Sequence, residues 1–453
     1  MYTWEEIYML LDFEVSNFLS FNNKVTLSMQ SGYSKANIFK DNIIFHALSN
    51  KGKKTYIHNA AIMYGANASG KSNLISAISF LKNIVENSND SRYSPKYFKF
   101  VHEENPTEFG ISFIQGLSKQ LYEISYKVVI DRQGIIQSET LKYSEISNDK
   151  KGKEYTIFDR EQDGFIKNHD DLNFLIENFK TKNIENRAAL SFFIHDINKS
   201  YFKNSIDSLG YQLLEVSYNF IVDKMVLSND SSRGHSDIAD EIMNNSDFKK
   251  KVIIALNEID NNIVDFNIID ITETLSERFT KVLENDKDEK LRDELEKNLE
   301  WMRKRNKKFF EFNTIHNVNG ENYSLGFRFE SSGTKKFIEE FIDIIDCIEN
   351  NKVYIVDEIE DHYHEFIQNY IVNLFLNQGE GKTSQLIAST HSLNYLDPDR
   401  FAKEQIWFVE KDRVQQESEL YRLSEFKDVS YNNHNWKNLY IQGRLGAVPK
   451  VIM

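Results

Sequence analysis

Residues Gly65-Ala66-Asn67-Ala68-Ser69-Gly70-Lys71-Ser72 fit the pattern Gly-x-x-x-x-Gly-Lys-Ser/Thr. In a chain of 453 residues that pattern arises by chance on the order of once in fifty, taking glycine at about 7 % of average usage. Its surroundings narrow the reading further. Ala60 to Tyr64 is an apolar run that reads as a buried strand leading into the loop, and Leu74, Ile75, Ile78 and Leu81 recur behind it on one helical face. Strand, glycine loop and helix in that order make a phosphate cradle. The glycines let backbone N–H groups curl round an anion and the helix N-terminus adds positive potential. The Lys71 ammonium can reach the β- and γ-phosphates, and the Ser72 hydroxyl can ligate Mg2+.

The acidic partner of this loop lies far downstream. Val353-Tyr354-Ile355-Val356 is a second buried run, and it ends on Asp357 and Glu358. At a strand end beside a nucleotide, the first carboxylate suits the water shell of Mg2+. The second suits the orientation and deprotonation of a water for attack on the γ-phosphate. Gln385-Leu386-Ile387-Ala388 then leads through Ser389 and Thr390 to His391, placed to sense the γ-phosphate. Ahead of the acids, Glu330-Ser331-Ser332-Gly333-Thr334-Lys335 is a small polar turn opening a helix. It reads as a helix cap that also offers hydroxyls and N–H groups to a phosphate. About 280 positions separate Ser72 from Val353, far more than an ordinary connection, so a segment is inserted between the halves of the site.

The first 60 residues alternate apolar and polar positions, as at Phe13, Val15, Val25 and Leu27, which predicts half-buried antiparallel strands. Alternation returns between Glu108 and Tyr143, ahead of an expected polar loop at Ser144 to Glu154. Residues 171–262 read as mostly helical and Ile263 to Ile271 as a strand. Ser276 to Lys308 reads as a charged helix with Leu291, Leu295, Leu299 and Met302 on one seam. It closes on the basic run Arg303-Lys304-Arg305-Asn306-Lys307-Lys308. Strands and helices then alternate: Phe327 to Phe329, a helix over Lys335 to Ile348, Val353 to Val356, a helix ending near Asn377, Leu386 to Ala388, and Gln405 to Val409. The expectation is an α/β fold in two lobes, 1–170 and 311–453, around a helical insertion at 171–310.

Composition excludes several classes. With 40 % apolar and 13 % aromatic residues the chain is folded rather than disordered, and with 4 Pro and 18 Gly it favours long helices over flexible linkers. A single cysteine, Cys347, rules out an internal disulfide framework. No apolar run approaches the roughly 18 to 20 residues of a membrane helix, and Met1 to Leu10 lack the basic start of a signal peptide. A cytoplasmic protein with no membrane contact is expected. A formal charge of −14 argues against a surface devoted to nucleic acid, leaving local DNA contact at the 303–308 run open.

In this order the motifs resemble those of ABC-type ATPase heads of the SMC, Rad50 and RecF kind, and more closely those of the AAA15 group of prokaryotic ATPases from abortive-infection and Rlo-type loci. The resemblance rests on Val15-Ser16-Asn17-Phe18-Leu19-Ser20-Phe21, Tyr64 to Asn73, Glu330 to Lys336, and Asp357-Glu358-Ile359-Glu360 with His364. It extends to Ser389-Thr390-His391, Gln405-Ile406-Trp407-Phe408 and Gly443-Arg444-Leu445-Gly446-Ala447-Val448-Pro449. It is weak between residues 171 and 310. It departs at Leu19, where the family often has a basic residue, and at Glu365, where a proline usually follows the histidine. Gln137 is the candidate for a Q-loop.

The resemblance implies an ABC-type head that binds and hydrolyses ATP with Mg2+. Gly65, Asn67, Ser69, Gly70, Lys71, Ser72 and Asn73 would meet the nucleotide, Ser72 and Asp357 the metal, and Lys71, Glu358 and His391 would act in catalysis. It also implies a homodimer or higher homo-oligomer with ATP sandwiched between protomers, Ser331, Ser332 and Gly333 coming from the opposite one. The implied role is that of a sensor or regulatory subunit in anti-phage defence, controlling a separate, nuclease-like effector. The alternative is an SMC- or RecF-like ATPase that tethers or repairs DNA. Its mark is a long heptad arm or a basic groove, where this chain has a stripe of about three turns and one basic run. A nucleotide-binding scaffold without turnover is disfavoured by the presence of both Glu358 and His391.

Overall fold

The computed structural model describes residues 7–32, 42–48, 54–87, 93–100, 105–162, 164–182, 186–195, 208–228, 239, 242–243, 245–258, 262–285, 309–361, 364–379, 381–431 and 435–449. It divides into two compact units, residues 1–228 with 346–453, and residues 229–345.

At the centre of the first unit lies a six-stranded sheet in the order Met225–Leu227, Val353–Val356, Gln385–Ser389, Ala60–Tyr64, Ile406–Lys411, Ser418–Arg422. The first five strands are parallel and the sixth is antiparallel to the fifth. Parallel strands covered on both faces need unbroken apolar runs, and every residue of Ala60–Tyr64, Val353–Val356 and Gln385–Ser389 is buried. Gln385–Ser389 lies between the other two. Its Ala388 pairs with Ile62 on one side and Val356 on the other, so the C-terminal ends of the three strands finish level. Such ends are where open α/β sheets bind ligands.

The second sheet of this unit has ten strands, antiparallel except for one pairing of Lys150 with Leu48. Tyr8–Ser16 pairs with Val25–Ser28 and Thr107–Leu117, and the sheet continues through Gln120–Ile130, Ile136–Ser147 and Lys150–Glu161. These are the antiparallel strands that the alternation predicts. The stretch Ser144 to Glu154 is not the expected loop. The last two strands run through it, joined by Asn148 and Asp149 at φ 49° and 59°, the left-handed pair of a tight hairpin turn. Its polarity reflects an exposed strand start at Lys150 to Tyr155. The helix Lys71–Glu86 buries Leu74, Ile78, Leu81 and Val85, and its Phe80 ring meets Phe109 of this sheet at 5.5 Å and Phe18 at 5.6 Å.

The described residues between 171 and 228 belong to the first unit rather than to the insertion expected at 171–310. A buried polar network explains the docking. Glu139, 0 % exposed, accepts the Ala189 and Leu190 N–H groups at 2.7 and 3.1 Å and the Tyr126 hydroxyl at 2.9 Å, and pairs with Arg160 at 3.0 Å. A carboxylate seated on the first turn of the helix Ala189–His195 satisfies amides that the helix itself leaves open. Met225–Leu227 then joins the central sheet, a strand too short for periodicity to reveal.

The second unit holds the helices Ser246–Glu258 and Thr272–Asn285 and an antiparallel sheet of Ile263–Asp270, Phe310–Val318 and Glu321–Gly326. The strand expected at Ile263 to Ile271 is present as Ile263–Asp270, while Phe310–Val318 and Glu321–Gly326 add two strands to a unit that runs past the expected end of the helical insertion at 310, and Phe327–Phe329, expected as a strand, is a single 3-10 turn. The Leu291 to Met302 seam and the 303–308 basic run lie outside the described residues. The boundary back to the first unit falls within the helix Ser332–Glu349. Among the described residues no helix is long and apolar enough to cross a membrane.

Candidate active site

Tyr64 ends its strand fully buried, and its hydroxyl donates to Ser392 O at 2.9 Å. Beyond it the chain turns through Gly65 to Gly70. A Cβ on Gly65 would run into Ser69 Oγ and stand 2.5 Å from Val409 O. One on Gly70, at φ 118°, would stand 2.6 Å from Ser418 Oγ and 2.8 Å from Ser20 Oγ. Only glycine fits either place. Ser418 Oγ donates to Ser69 O at 2.6 Å, and Asn73 Nδ2 donates to Ser20 Oγ at 2.7 Å, so two distant serines brace the loop. Ser69 Oγ is buried without a hydrogen-bond partner among the described residues, and the Lys71 helix starts at Gly70 with no side-chain cap. A cradle closed to side chains, open helix N–H groups and an unpartnered hydroxyl fit a phosphate group.

Lys71 is only 4 % exposed. Its Nζ donates to Gly65 O at 2.8 Å and lies 3.2 Å from His391 Nε2. Burial pulls the Lys71 pKa below its ordinary value, against the pull of Glu358, Asp357 and Glu360.

The acidic strand end is tied to the neighbouring strand. Ser389 Oγ donates to Asp357 Oδ1 and accepts the Glu358 N–H at 2.8 Å. Glu358 adopts φ 50°, a left-handed conformation that costs a residue with a side chain on the order of 1 kcal/mol or more. Its side chain is 39 % exposed, with Oε1 4.0 Å from His391 Nε2. Desolvation, then Asp361 and Asp357, raise its pKa above the ordinary carboxylate value, opposed by His391. A carboxylate with raised proton affinity and access to water is suited to general-base work. Ser72, exposed in the first helical turn, and Asp357 are the oxygen donors that Mg2+ would meet. No group of three His, Cys, Asp or Glu side chains able to hold a metal ion occurs among the described residues.

The remaining candidates fall elsewhere. In the second unit, Ser331 Oγ accepts the Thr334 N–H at 3.0 Å, so this residue acts as the helix cap, and Ser332 and Gly333 form the first turn behind it. Glu330 is held by His316 Nε2 at 2.6 Å. In the first unit, His364 caps the helix Glu365–Leu376 through the Phe366 N–H. Gln137 donates to Asp131 at 2.7 Å within its own hairpin. Leu19, at φ 51°, donates its N–H to Lys96 O. The Gly443 to Pro449 tail packs behind the phosphate-loop strand: Tyr440 Oη donates to Ala447 O at 3.0 Å, and the Tyr440 ring lies 5.6 Å from that of Tyr64. Sequence reasoning gave no role to Ser20, Ser389, Glu360 or Ser418. Ser20, Ser389 and Glu360 stand inside quoted motifs, whereas Ser418 carries no local signal.

A parallel sheet that delivers a glycine loop, lysine and serine from one strand, a histidine from the adjacent strand and carboxylates from the strand beyond that defines an ATPase-type P-loop domain. The family model described as "AAA domain, putative AbiEii toxin, Type IV TA system" matches residues 60–397, and the chain belongs to that family. Among solved structures, the SMC head domain from Thermotoga maritima is similar at 10 % identity and a TM-score of 0.37, over 91 % of this chain and 98 % of that one. No curated protein matches the chain. The α/β P-loop ATPase fold expected from the sequence is the fold found.

Proposed function

We propose that this protein is an ABC-type ATPase that hydrolyses ATP at the C-terminal edge of its parallel sheet and serves as a cytoplasmic sensor in an abortive-infection system of the AAA15 or Rlo type. The observation that carries the reading is the meeting of Lys71 and Glu358 around His391, at 3.2 and 4.0 Å. In this reading the Gly65 to Gly70 loop and Lys71 hold the β- and γ-phosphates. Ser72 and Asp357 would hold Mg2+, which when bound offsets the charge of the phosphate oxygens. Glu358 accepts a proton from the attacking water as the new O–P bond forms and the bond to the β,γ-bridging oxygen breaks, releasing ADP and phosphate. His391 orients the γ-phosphate.

Two copies of the chain would enclose the nucleotide, Ser331 to Gly333 of one reaching the phosphates of the other through the helix N-terminus that Ser331 caps. A Lys71→Ala protomer mixed with a Gly333→Arg protomer should then recover up to one working site per dimer. No recovery in mixed dimers shown to form contradicts the sandwich.

The family description, with its toxin of a type IV system, supports a place in a defence locus. The destructive activity is assigned to a separate, nuclease-like chain whose affinity for this one changes with the nucleotide, by about 1 to 3 kcal/mol for ordinary coupling. The test is to assay the purified protein with Mg2+ and ATP on DNA, tRNA and mRNA. ATP turnover without cleavage, together with a neighbouring gene needed for toxicity, supports the reading. Cleavage that survives repurification and vanishes with a substitution in residues 229–345 overturns it, and ATP-dependent retention of DNA would favour the tethering alternative.

A further inference from the structure

We infer that Glu360 is a positioning residue, a clamp that holds the end of the Gln385–Ser389 strand so that the His391 imidazole faces Lys71 and Glu358 together. The inference deepens the proposed function and rests on its reading of His391. Three carboxylates stand within four positions, and the structure gives them different tasks. Asp357 accepts from Ser389 Oγ, and Glu358 stands half-exposed beside His391. Glu360 has both oxygens engaged, Oε2 by Thr390 Oγ1 at 2.7 Å and Oε1 by the His391 N–H. Both oxygens are thus tied to the two residues that follow the strand.

The geometry shows why a clamp is needed there. His391 lies beyond the last strand residue, where the ladder of the parallel sheet has ended, and its side chain is 38 % exposed. Nothing in the sheet itself fixes its backbone. Glu358, at φ 50°, turns the chain back, Asp361 N–H closes the turn on Glu358 O at 2.8 Å, and Ile359 N–H donates to Ser389 O at 3.1 Å. The reversal brings the Glu360 carboxylate over the outgoing strand. Thr390, fully buried, passes the restraint on: its N–H donates to Met63 O at 3.0 Å, and its Oγ1 accepts the Ser392 N–H at 2.9 Å. Charged acceptors make the stronger hydrogen bonds, and a site of this kind needs its groups held to a fraction of an ångström. Glu358 is held in its unfavourable conformation by its own N–H to Ser389 Oγ and by the Asp361 N–H to its O, so the base and the histidine are tied to the end of the same strand.

The test compares purified full-length Glu360→Ala, Glu360→Gln, His391→Ala and the double variant Glu360→Ala/His391→Ala for kcat and KM with ATP and Mg2+. Glu360→Ala should lower kcat about 10- to 100-fold with KM changed less than about threefold, and Glu360→Gln, which keeps an oxygen for the His391 N–H, should recover part of the loss. Because Glu360 acts through His391, the double variant should be no slower than His391→Ala. Effects that multiply in the double variant overturn the inference. Should Glu360→Ala fold poorly, Thr390→Val, which removes one side of the clamp, should slow turnover in the same direction by less. The His391 amide proton, followed by NMR with selective histidine labelling, should lie downfield and move upfield in Glu360→Ala. An unmoved resonance overturns the clamp whatever the turnover. A wild-type rate in His391→Ala would overturn the sensor role and the positioning role together. A wild-type rate in Glu360→Ala beside a slow His391→Ala would overturn the positioning role alone.

Discussion

The two ends of the central sheet are built from the same strands and spend their polar groups in opposite ways. At the N-terminal end, Gln385 accepts the Leu10 N–H at 2.6 Å and donates to Leu10 O and His58 O at 3.0 and 3.1 Å, joining the two sheets of the first unit. Gln405 accepts from Asn42 Nδ2 and the Ala402 N–H, and Asn59 Nδ2 donates to Phe375 O at the end of a helix. All three are 0 % exposed. At the C-terminal end a buried hydroxyl has no partner among the described residues, a lysine is desolvated against carbonyl oxygens, and Glu358 sits in a left-handed conformation. Matched buried polar groups fix a fold, whereas strained and partly satisfied ones mark the place where a ligand is received.

Substitutions should separate these two kinds of edge. The largest effect is expected at Lys71→Ala, which should weaken ATP binding by at least about 10²-fold and bring turnover below detection. Its melting temperature should be unchanged or higher, because a desolvated ammonium has been removed. A large loss of stability would place Lys71 among the structural groups and break the contrast. At the opposite end, burial first and Arg422 second lower the His58 pKa from 6.5 to about 4, with Nδ1 donating to Asn42 O. The unfolded chain then binds more protons between these values, so stability is full above pH 6.5 and falls as the pH drops toward 4. The loss should reach about 3 kcal/mol, and chemical denaturation as a function of pH should show the slope flattened in His58→Gln. Gln385→Leu leaves the Leu10 peptide groups and His58 O without this partner and should cost about 2 kcal/mol of stability, while turnover per folded molecule persists. Turnover lost at unchanged stability would contradict the assignment of that edge. The smallest effect is expected at the surface pair Lys127–Glu108, where both side chains are exposed. Lys127→Ala should change stability by less than about 0.5 kcal/mol.

What could be read from the chain beforehand follows the same division. Ala60 to Tyr64 and Val353 to Val356 are legible because strands buried on both faces must be continuously apolar. The phosphate loop is legible because its glycines answer a local steric need. The Asn148-Asp149 hairpin was masked by its exposed flanking strand, whose polar residues look like a loop. Met225–Leu227 is too short to carry a period, and its place beside Val353–Val356 is a tertiary fact. The hydrogen-bonded frame of the site was least legible. Ser20 and Ser418 brace the phosphate loop from positions some 400 residues apart in the chain, and no local pattern encodes such a meeting.

The central claim is that the C-terminal edge of the parallel sheet carries out ATP hydrolysis with Glu358 as the base. The direct measurement is phosphate release by wild type and Glu358→Gln with Mg2+ and ATP, together with the identity of the nucleotide retained on each protein. The account predicts turnover in wild type, a rate about 10²- to 10⁴-fold lower in Glu358→Gln, and intact ATP bound to that variant at undiminished stoichiometry. Equal rates in the two proteins, or no turnover in wild type under conditions where ATP is bound, would contradict it.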